Sequence, residues 1–308
     1  LKKKSIQNLA ISVHQRLLNM AEQTGEDAQY VHMRYGLERL MYRLSQSGHA
    51  SKFVVKGALL YLVWTGEQYR STKDLDLLAL RSESPSRLEV MFRDVCQLAT
   101  IDDGLVFLLD SIKVEEIREN ATYQGMRVTL QARLGNARIP LQVDIGFGDV
   151  ITPKATKTRF PTLLNFPTPQ LLIYSKETVV AEKFEAMVKL SIINSRMKDY
   201  YDVWALSQEF EFHSAILRDA ITATFRRRKT SWPVGTPLVL STEFTGDAVK
   251  QQQWQGFVRR GRFKLLEPEL TKVVEAVSDF LMPVVIASNQ PQTVEMHWPK
   301  GGPWQTKR

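Results

Sequence analysis

Ser71-Thr72-Lys73-Asp74-Leu75-Asp76-Leu77-Leu78 sets two carboxylates two residues apart in a segment that otherwise reads as buried strand. Residues i and i+2 of a strand share a face. Asp74 and Asp76 then stand side by side on one face, while Leu75 and Leu77 enter the core on the other. Two neighbouring anions repel unless a cation offsets them, and a hard divalent ion such as Mg²⁺ is the usual partner. An isolated Asp-x-Asp fits a solvated strand end equally well, so its surroundings decide the reading.

Upstream, Phe53-Val54-Val55-Lys56 is a β-branched run, Gly57 breaks it, and Ala58-Leu59-Leu60-Tyr61-Leu62-Val63-Trp64 follows with helical spacing. The pattern predicts strand, tight turn and helix. Glycine at such a turn leaves backbone N–H groups open to phosphate oxygens; close packing of the helix is the alternative. Downstream, Ile139 to Asp149 alternates in polarity around Asp144, between Val143 and Ile145. If this strand lies beside the first, Asp144 completes a cluster of three carboxylates. A two-metal phosphoryl- or nucleotidyl-transfer site requires that arrangement. The interval between them holds a helix from about Pro85 to Ala99 and strands at Leu105–Leu109, Ile112–Ile117 and Gln124–Leu134, with turns at Asp103-Gly104 and Gly135-Asn136.

Ser175 to Leu190 reads as a helix capped by Ser175, with Val180, Phe184, Met187 and Leu190 as its apolar stripe and Lys183 at the margin. A lysine there commonly snorkels to solvent. Asp199 in Arg196-Met197-Lys198-Asp199-Tyr200-Tyr201-Asp202 is placed to cap a following helix. Two basic clusters, Arg226-Arg227-Arg228-Lys229 and Arg259-Arg260-Gly261-Arg262, lie in the C-terminal part, the second beside Trp254, Phe257 and Phe263. Cations interleaved with aromatics suit an RNA strand, although a charge run also serves as a solvated face.

Taken together, Lys56-Gly57, Asp74-Leu75-Asp76, Val143-Asp144, Ala181-Glu182-Lys183-Phe184-Glu185-Ala186 and Arg196 to Asp202 resemble, in order and spacing, the AbiEii/AbiGii-type nucleotidyltransferase toxins. The resemblance spans roughly residues 5 to 285. It implies an α+β fold, with a DNA polymerase β-like mixed-sheet core and N- and C-terminal helical additions. It also implies the toxin of a type IV-like toxin–antitoxin pair, moving a nucleotide from NTP to RNA, notably the tRNA 3′ end. Position by position, Asp74 and Asp76 match the metal-binding aspartates for Mg²⁺, with Mn²⁺ as an alternative, and Asp144 is the expected third carboxylate if its strand lies beside theirs. Lys183 matches the lysine on the triphosphate, and Asp199 the acidic residue of the Arg-x-Lys-Asp element. Lys56, Gly57, Ala58 and Thr72 join Lys183 as the expected NTP-contacting set. Ala58 departs from the family turn, which more often carries Gly-Gly or Gly-Ser. Arg226, Arg227, Arg228, Arg259, Arg260 and Arg262 are the expected RNA contacts, and a cognate antitoxin is the expected protein partner.

Composition agrees with an anionic partner: 308 residues carry a formal charge of +8, with a pI near 9.5. The single cysteine, Cys96, excludes an internal disulfide. No stretch reaches the roughly 18 apolar residues of a membrane span, and Leu1-Lys2-Lys3-Lys4 is not followed by a signal-type apolar region, so the expected location is cytoplasmic. The histidines show no metal-ligand spacing. The expected organisation is a helical segment at residues 1–50, a nucleotidyltransferase core at 51–169 including a Pro/Thr/Lys-rich connector from Ile151, a helical lobe at 170–286 and a flexible tail at 287–308. Other functions compatible with the chain are a non-catalytic nucleic-acid-binding or interaction protein, and a nucleotidyltransferase acting on a protein hydroxyl.

Overall fold

The computed structural model describes residues 2–120, 123–265, 267, 269–287 and 294–306. The chain is α+β and divides into two compact units. The first comprises residues 1–67, 72–148 and 156–173, and the second residues 68–71, 149–155 and 174–308.

In the first unit, α1 (Lys2–Thr24) and α2 (Ala28–Gln46) precede β1 (Phe53–Lys56), α3 (Leu59–Thr65), β2 (Leu75–Ala79) and α4 (Pro85–Gln97). There follow β3 (Leu105–Asn120), β4 (Tyr123–Leu134), β5 (Ala137–Phe147), β6 (Thr156–Arg159) and β7 (Gln170–Ile173). The seven strands form one mixed sheet in the order β3-β4-β5-β2-β1-β7-β6. β2 runs parallel to β5, and β1 parallel to β7. The alternation of β5 sends Ile139, Leu141, Val143 and Ile145 into the core, where α2 packs closely. A Cβ at Gly36 of that helix would come within 2.8 Å of Leu141, so the absence of a side chain sets the approach.

The predicted helices form with small boundary changes, and the apolar stripe of α1, expected from the sequence at Ile6, Leu9, Ile11, Leu17 and Leu18, is shifted. Ala10, Val13, Leu17 and Ala21 are buried at helical spacing, whereas Ile11 is exposed. The side chain of Ile6 lies outside the described residues. The two short strands expected between Leu105 and Ile117 are one strand, β3, whose register with β4 breaks between Leu108 and Lys113. There Ser111 Oγ accepts the Gln131 N–H at 2.8 Å and so substitutes for a ladder bond. The connector from Ile151 contains an edge strand, β6, paired with β7.

α2 also buries charge. Arg43 makes two hydrogen bonds to Asp103, at 2.7 and 3.0 Å, and both residues are buried. Glu38 and Arg39 form a buried ion pair at 2.9 Å, and Glu38 Oε2 accepts the Leu163 N–H. Burial outweighs the guanidinium of Arg39 and pushes the Glu38 carboxyl up to about 7.

The second unit is mainly helical: α5 (Lys176–Leu190), α6 (Met197–Glu209), α7 (Ser214–Arg228), α8 (Thr242–Gly246), α9 (Ala248–Arg260) and α10 (Leu270–Ala287). Ser175 caps α5 by accepting the Thr178 N–H at 3.2 Å, as expected. Asp199 does not cap α6: Arg196 occupies that position and the carboxylate turns inward.

The tail expected to be flexible contains structure. Residues 294–306 include β9 (Met296–Trp298) and β10 (Gln305–Thr306), and β9 pairs with β8 (Phe212–His213). Trp298 is buried, and Trp304 donates its indole N–H to the Phe280 carbonyl at 2.8 Å. Aromatic burial holds this segment against α10; residues 288–293 and 307–308 of the expected tail lie outside the described residues. Among the described residues no helix is long and apolar enough to cross a membrane.

Candidate nucleotidyl-transfer site

Sheet register assembles the carboxylates. Asp76 on β2 pairs with Asp144 on the parallel strand β5. Asp74, two residues before Asp76, adds the third carboxylate, and ligand oxygens of all three lie within 4.8 Å of one another. The strand pairing on which the cluster depended is therefore present. Three hard oxygen donors this close fit a divalent cation, which takes carboxylate, phosphate and water oxygens together.

A row of charges crosses the sheet through this cluster. Lys56 is opposite Asp76, Asp76 is beside Asp144, and Asp144 is opposite Arg127 of β4. Along β1, β2, β5 and β4 the order is cation, anion, anion, cation. Arg127 grips Asp144 with two hydrogen bonds, Nε to Oδ1 at 2.8 Å and Nη2 to Oδ2 at 2.7 Å. The Gln142 amide lies 3.3 Å from both carboxylate oxygens. Asp74 is held locally: Thr72 is buried and donates its hydroxyl proton to Asp74 Oδ1 at 2.7 Å. Thr72, expected among the NTP contacts, is thus engaged in orienting Asp74.

Gly57 turns the chain between β1 and α3 at φ +76°, in the left-handed region. A Cβ there would lie 1.9 Å from Asp76 Oδ2, so glycine makes room for the carboxylate itself. Ala58 is buried at the start of α3 and has no side-chain capping bond to offer.

Lys183 and Asp199 meet within the second unit. Lys183 Nζ sits 2.7 Å from Asp199 Oδ1 and 2.8 Å from Asp202 Oδ2. Arg70 makes two hydrogen bonds to Asp202, at 2.8 and 2.9 Å, and Arg196 pairs with Asp199 at 2.9 Å. Both aspartates are buried. Burial opposes charge on Lys183, yet Asp199 and Asp202 win and raise its pKa. Burial likewise pushes Asp202 up, but Arg70 and Lys183 together pull it well below the usual carboxylate range. Lys183 is accordingly no snorkelling lysine. Sequence reasoning placed no role on Asp202, Arg70 or Arg127; the i,i+3 spacing of Asp199 and Asp202 on one helix was the signal for the first.

The expected RNA contacts divide. Arg226, Arg227, Arg259, Arg260 and Arg262 are exposed. Arg228 turns inward and pairs with Asp149, Glu182 and Glu185 at 3.1, 3.4 and 2.8 Å, because three acidic groups of the same unit surround it. The aromatics beside the second basic cluster also face inward. Trp254 is buried, and Phe257 and Phe263 pack on Tyr201 with centroids 5.9 and 4.7 Å away. Trp254 is closed to bases by burial, whereas Phe257 and Phe263 are half-buried.

Comparison with known proteins places these residues in a family context. JHP933 from Helicobacter pylori is similar at 11% identity and a TM-score of 0.49, over 85% of this chain and 94% of that one. A second H. pylori structure, described as a putative nucleotidyltransferase, gives 11% identity and a TM-score of 0.49 over 85% and 96%. Among curated proteins none matches at a significant level. The family described as nucleotidyl transferase AbiEii toxin, Type IV TA system, matches residues 39–277, a span that includes Asp74, Asp76, Asp144, Lys183, Asp199 and Asp202. The chain is therefore a nucleotidyltransferase of a toxin–antitoxin system, with a nucleotide substrate and an antitoxin partner, and it belongs to the AbiEii toxin family.

Proposed function

We propose that the chain transfers a nucleotidyl group from an NTP to a hydroxyl of RNA, at the tRNA 3′ end, with Mg²⁺ held by Asp74, Asp76 and Asp144. The observation that carries the metal-dependent reading is the meeting of these carboxylate oxygens within 4.8 Å. The bound ion would supply charge neutralisation at the phosphates and a lowered pKa for the attacking hydroxyl.

The chain's own residues supply the rest. Gly57 and Ala58 open backbone N–H groups to the triphosphate, and Lys56 adds a cation beside Asp76. Asp144 accepts the hydrogen bond of the acceptor hydroxyl and orients its oxygen toward the α-phosphorus. A new P–O bond forms there, the α–β bridging P–O bond breaks, pyrophosphate leaves, and the hydroxyl proton passes to the carboxylate. Lys183 is the lysine assigned to the triphosphate. Its support is the ion-pair network that holds its Nζ at 2.7 Å from Asp199 and 2.8 Å from Asp202.

The RNA acceptor is supported by the formal charge of +8 and by the exposed Arg226, Arg227, Arg259, Arg260 and Arg262. NTP and tRNA as substrates imply a cytoplasmic place of action. The test is incubation with each labelled NTP, Mg²⁺ and total bacterial RNA. Label on a tRNA-sized band, lost with EDTA and with the Asp76→Asn variant, supports the reading. Label on protein only, or none with any NTP, overturns it.

A further inference from the structure

Arg127 has no place in the reading above, and its geometry gives it one. It stands directly across β4 and β5 from Asp144, and its guanidinium engages both oxygens of that carboxylate side-on, at 2.8 and 2.7 Å. A fork of this kind uses the lone pairs through which a carboxylate otherwise grips a metal ion, and it brings a full positive charge to the same point. A divalent cation arriving alone at Asp74, Asp76 and Asp144 meets one carboxylate already occupied by a competing cation.

Arg127 is also able to yield. Its side chain is 37% exposed, whereas that of Asp144 is 14% exposed, so releasing the guanidinium moves it toward water and leaves the carboxylate in place. What favours release is added negative charge: a triphosphate neutralises both the incoming metal and a freed arginine. The charge row across the sheet places Lys56 and Arg127 on either side of Asp76 and Asp144.

We propose that Arg127 is a positioning residue that closes Asp144 to a divalent ion until the nucleotide arrives, so that metal and NTP bind cooperatively; this rests on the metal-dependent reading above. The coupling is a free-energy linkage, and removing Arg127 removes the arginine's share of it from both sides, leaving the share carried by phosphate oxygens on the ion.

The experiment is calorimetric titration of Mn²⁺ into the full chain, alone and with the α,β-methylene analogue of each of the four NTPs. It is repeated for Arg127→Gln, Arg127→Lys and Asp144→Asn and for Arg127→Gln combined with Asp144→Asn. In the parent, Mn²⁺ alone binds weakly and the cognate analogue tightens it by about tenfold or more. Arg127→Gln binds Mn²⁺ alone about tenfold more tightly than the parent, and the analogue tightens that binding by a smaller factor than in the parent. Arg127→Lys keeps the charge without the fork, so it lies between the two, and it carries the test if circular dichroism shows Arg127→Gln unfolded. Combined with Asp144→Asn, Arg127→Gln has no further effect on Mn²⁺ affinity, because the effect passes through Asp144.

Equal or weaker Mn²⁺ binding by Arg127→Gln, with nucleotide coupling unchanged, overturns the proposal while leaving the metal site standing. No Mn²⁺ binding by the parent, with or without any analogue, overturns both.

Discussion

Gly57 and Asp76 are matched by shape: the space a Cβ would take at Gly57 is the space the Asp76 carboxylate fills, 1.9 Å from where that Cβ would sit. The backbone there also has φ +76°, which disfavours any L side chain. Gly57→Ala is therefore expected to lower stability by about 1–3 kcal/mol and to displace Asp76 from the cluster. Urea denaturation with and without Mn²⁺ checks this. The variant should lose both stability and metal-dependent stabilisation, and retention of the second would uncouple the turn from the site.

Asp76→Asn keeps the side-chain shape and removes one charge from a crowded cluster. Transfer should fall to background while the protein stays folded, and the melting temperature without metal should hold or rise as repulsion is relieved. One preparation assayed for both quantities decides the matter. A folded, fully active variant would refute the metal assignment.

Lys183→Ala leaves Asp199 and Asp202 buried with one cation fewer. Removing one partner of a buried ion pair costs about 3–5 kcal/mol, so a purely local loss of activity is not expected. Lys183→Ala combined with Asp199→Asn removes the unpaired charge and should recover much of the stability. If the lysine serves the triphosphate, transfer stays absent in the stabilised double variant. Recovery of transfer would reduce Lys183 to a structural role.

Glu38 predicts a pH dependence. Its carboxyl is raised from 4.5 to about 7 by burial, so the folded state holds a proton that the unfolded state has released. Between these values folding is linked to proton uptake, and the contribution of Glu38 to stability falls as pH rises. The full cost, about 3 kcal/mol, is reached above pH 7. Glu38→Gln should show a shallower decline in stability from pH 5 to 8 than the parent, while its stability overall falls because Arg39 is left buried without its carboxylate partner. An unchanged slope in denaturant titrations would remove Glu38 as its source.

The exposed arginines give a salt-dependent prediction. Reversing Arg259 and Arg260 to glutamate should weaken tRNA binding and flatten its dependence on salt concentration, because fewer counterions are released. Filter binding across a salt series reads both. Arg228→Glu should instead destabilise the fold, since Arg228 faces Asp149, Glu182 and Glu185.

The sequence by itself determined the elements that depend on local period and local chemistry. The two-residue spacing of Asp74 and Asp76, the glycine after Phe53 to Lys56, the Ser175 cap and the helix carrying Lys183 all follow from backbone geometry within a few residues. Asp144 was legible as an addition because its strand alternates. Only the tertiary structure decided which charges meet. Arg127 reaches Asp144 because the β4–β5 hairpin sets their register, and Arg70 reaches Asp202 across 132 residues of chain. The same long-range packing turned Arg228 and Trp254 inward, although Arg227, Arg259 and Arg262 of the same basic clusters face solvent. Charge and aromaticity are properties of a residue type, whereas burial is a property of the elements packed against it. A cluster such as Arg226-Arg227-Arg228 therefore could not reveal which of its members was enclosed by carboxylates from elsewhere in the chain.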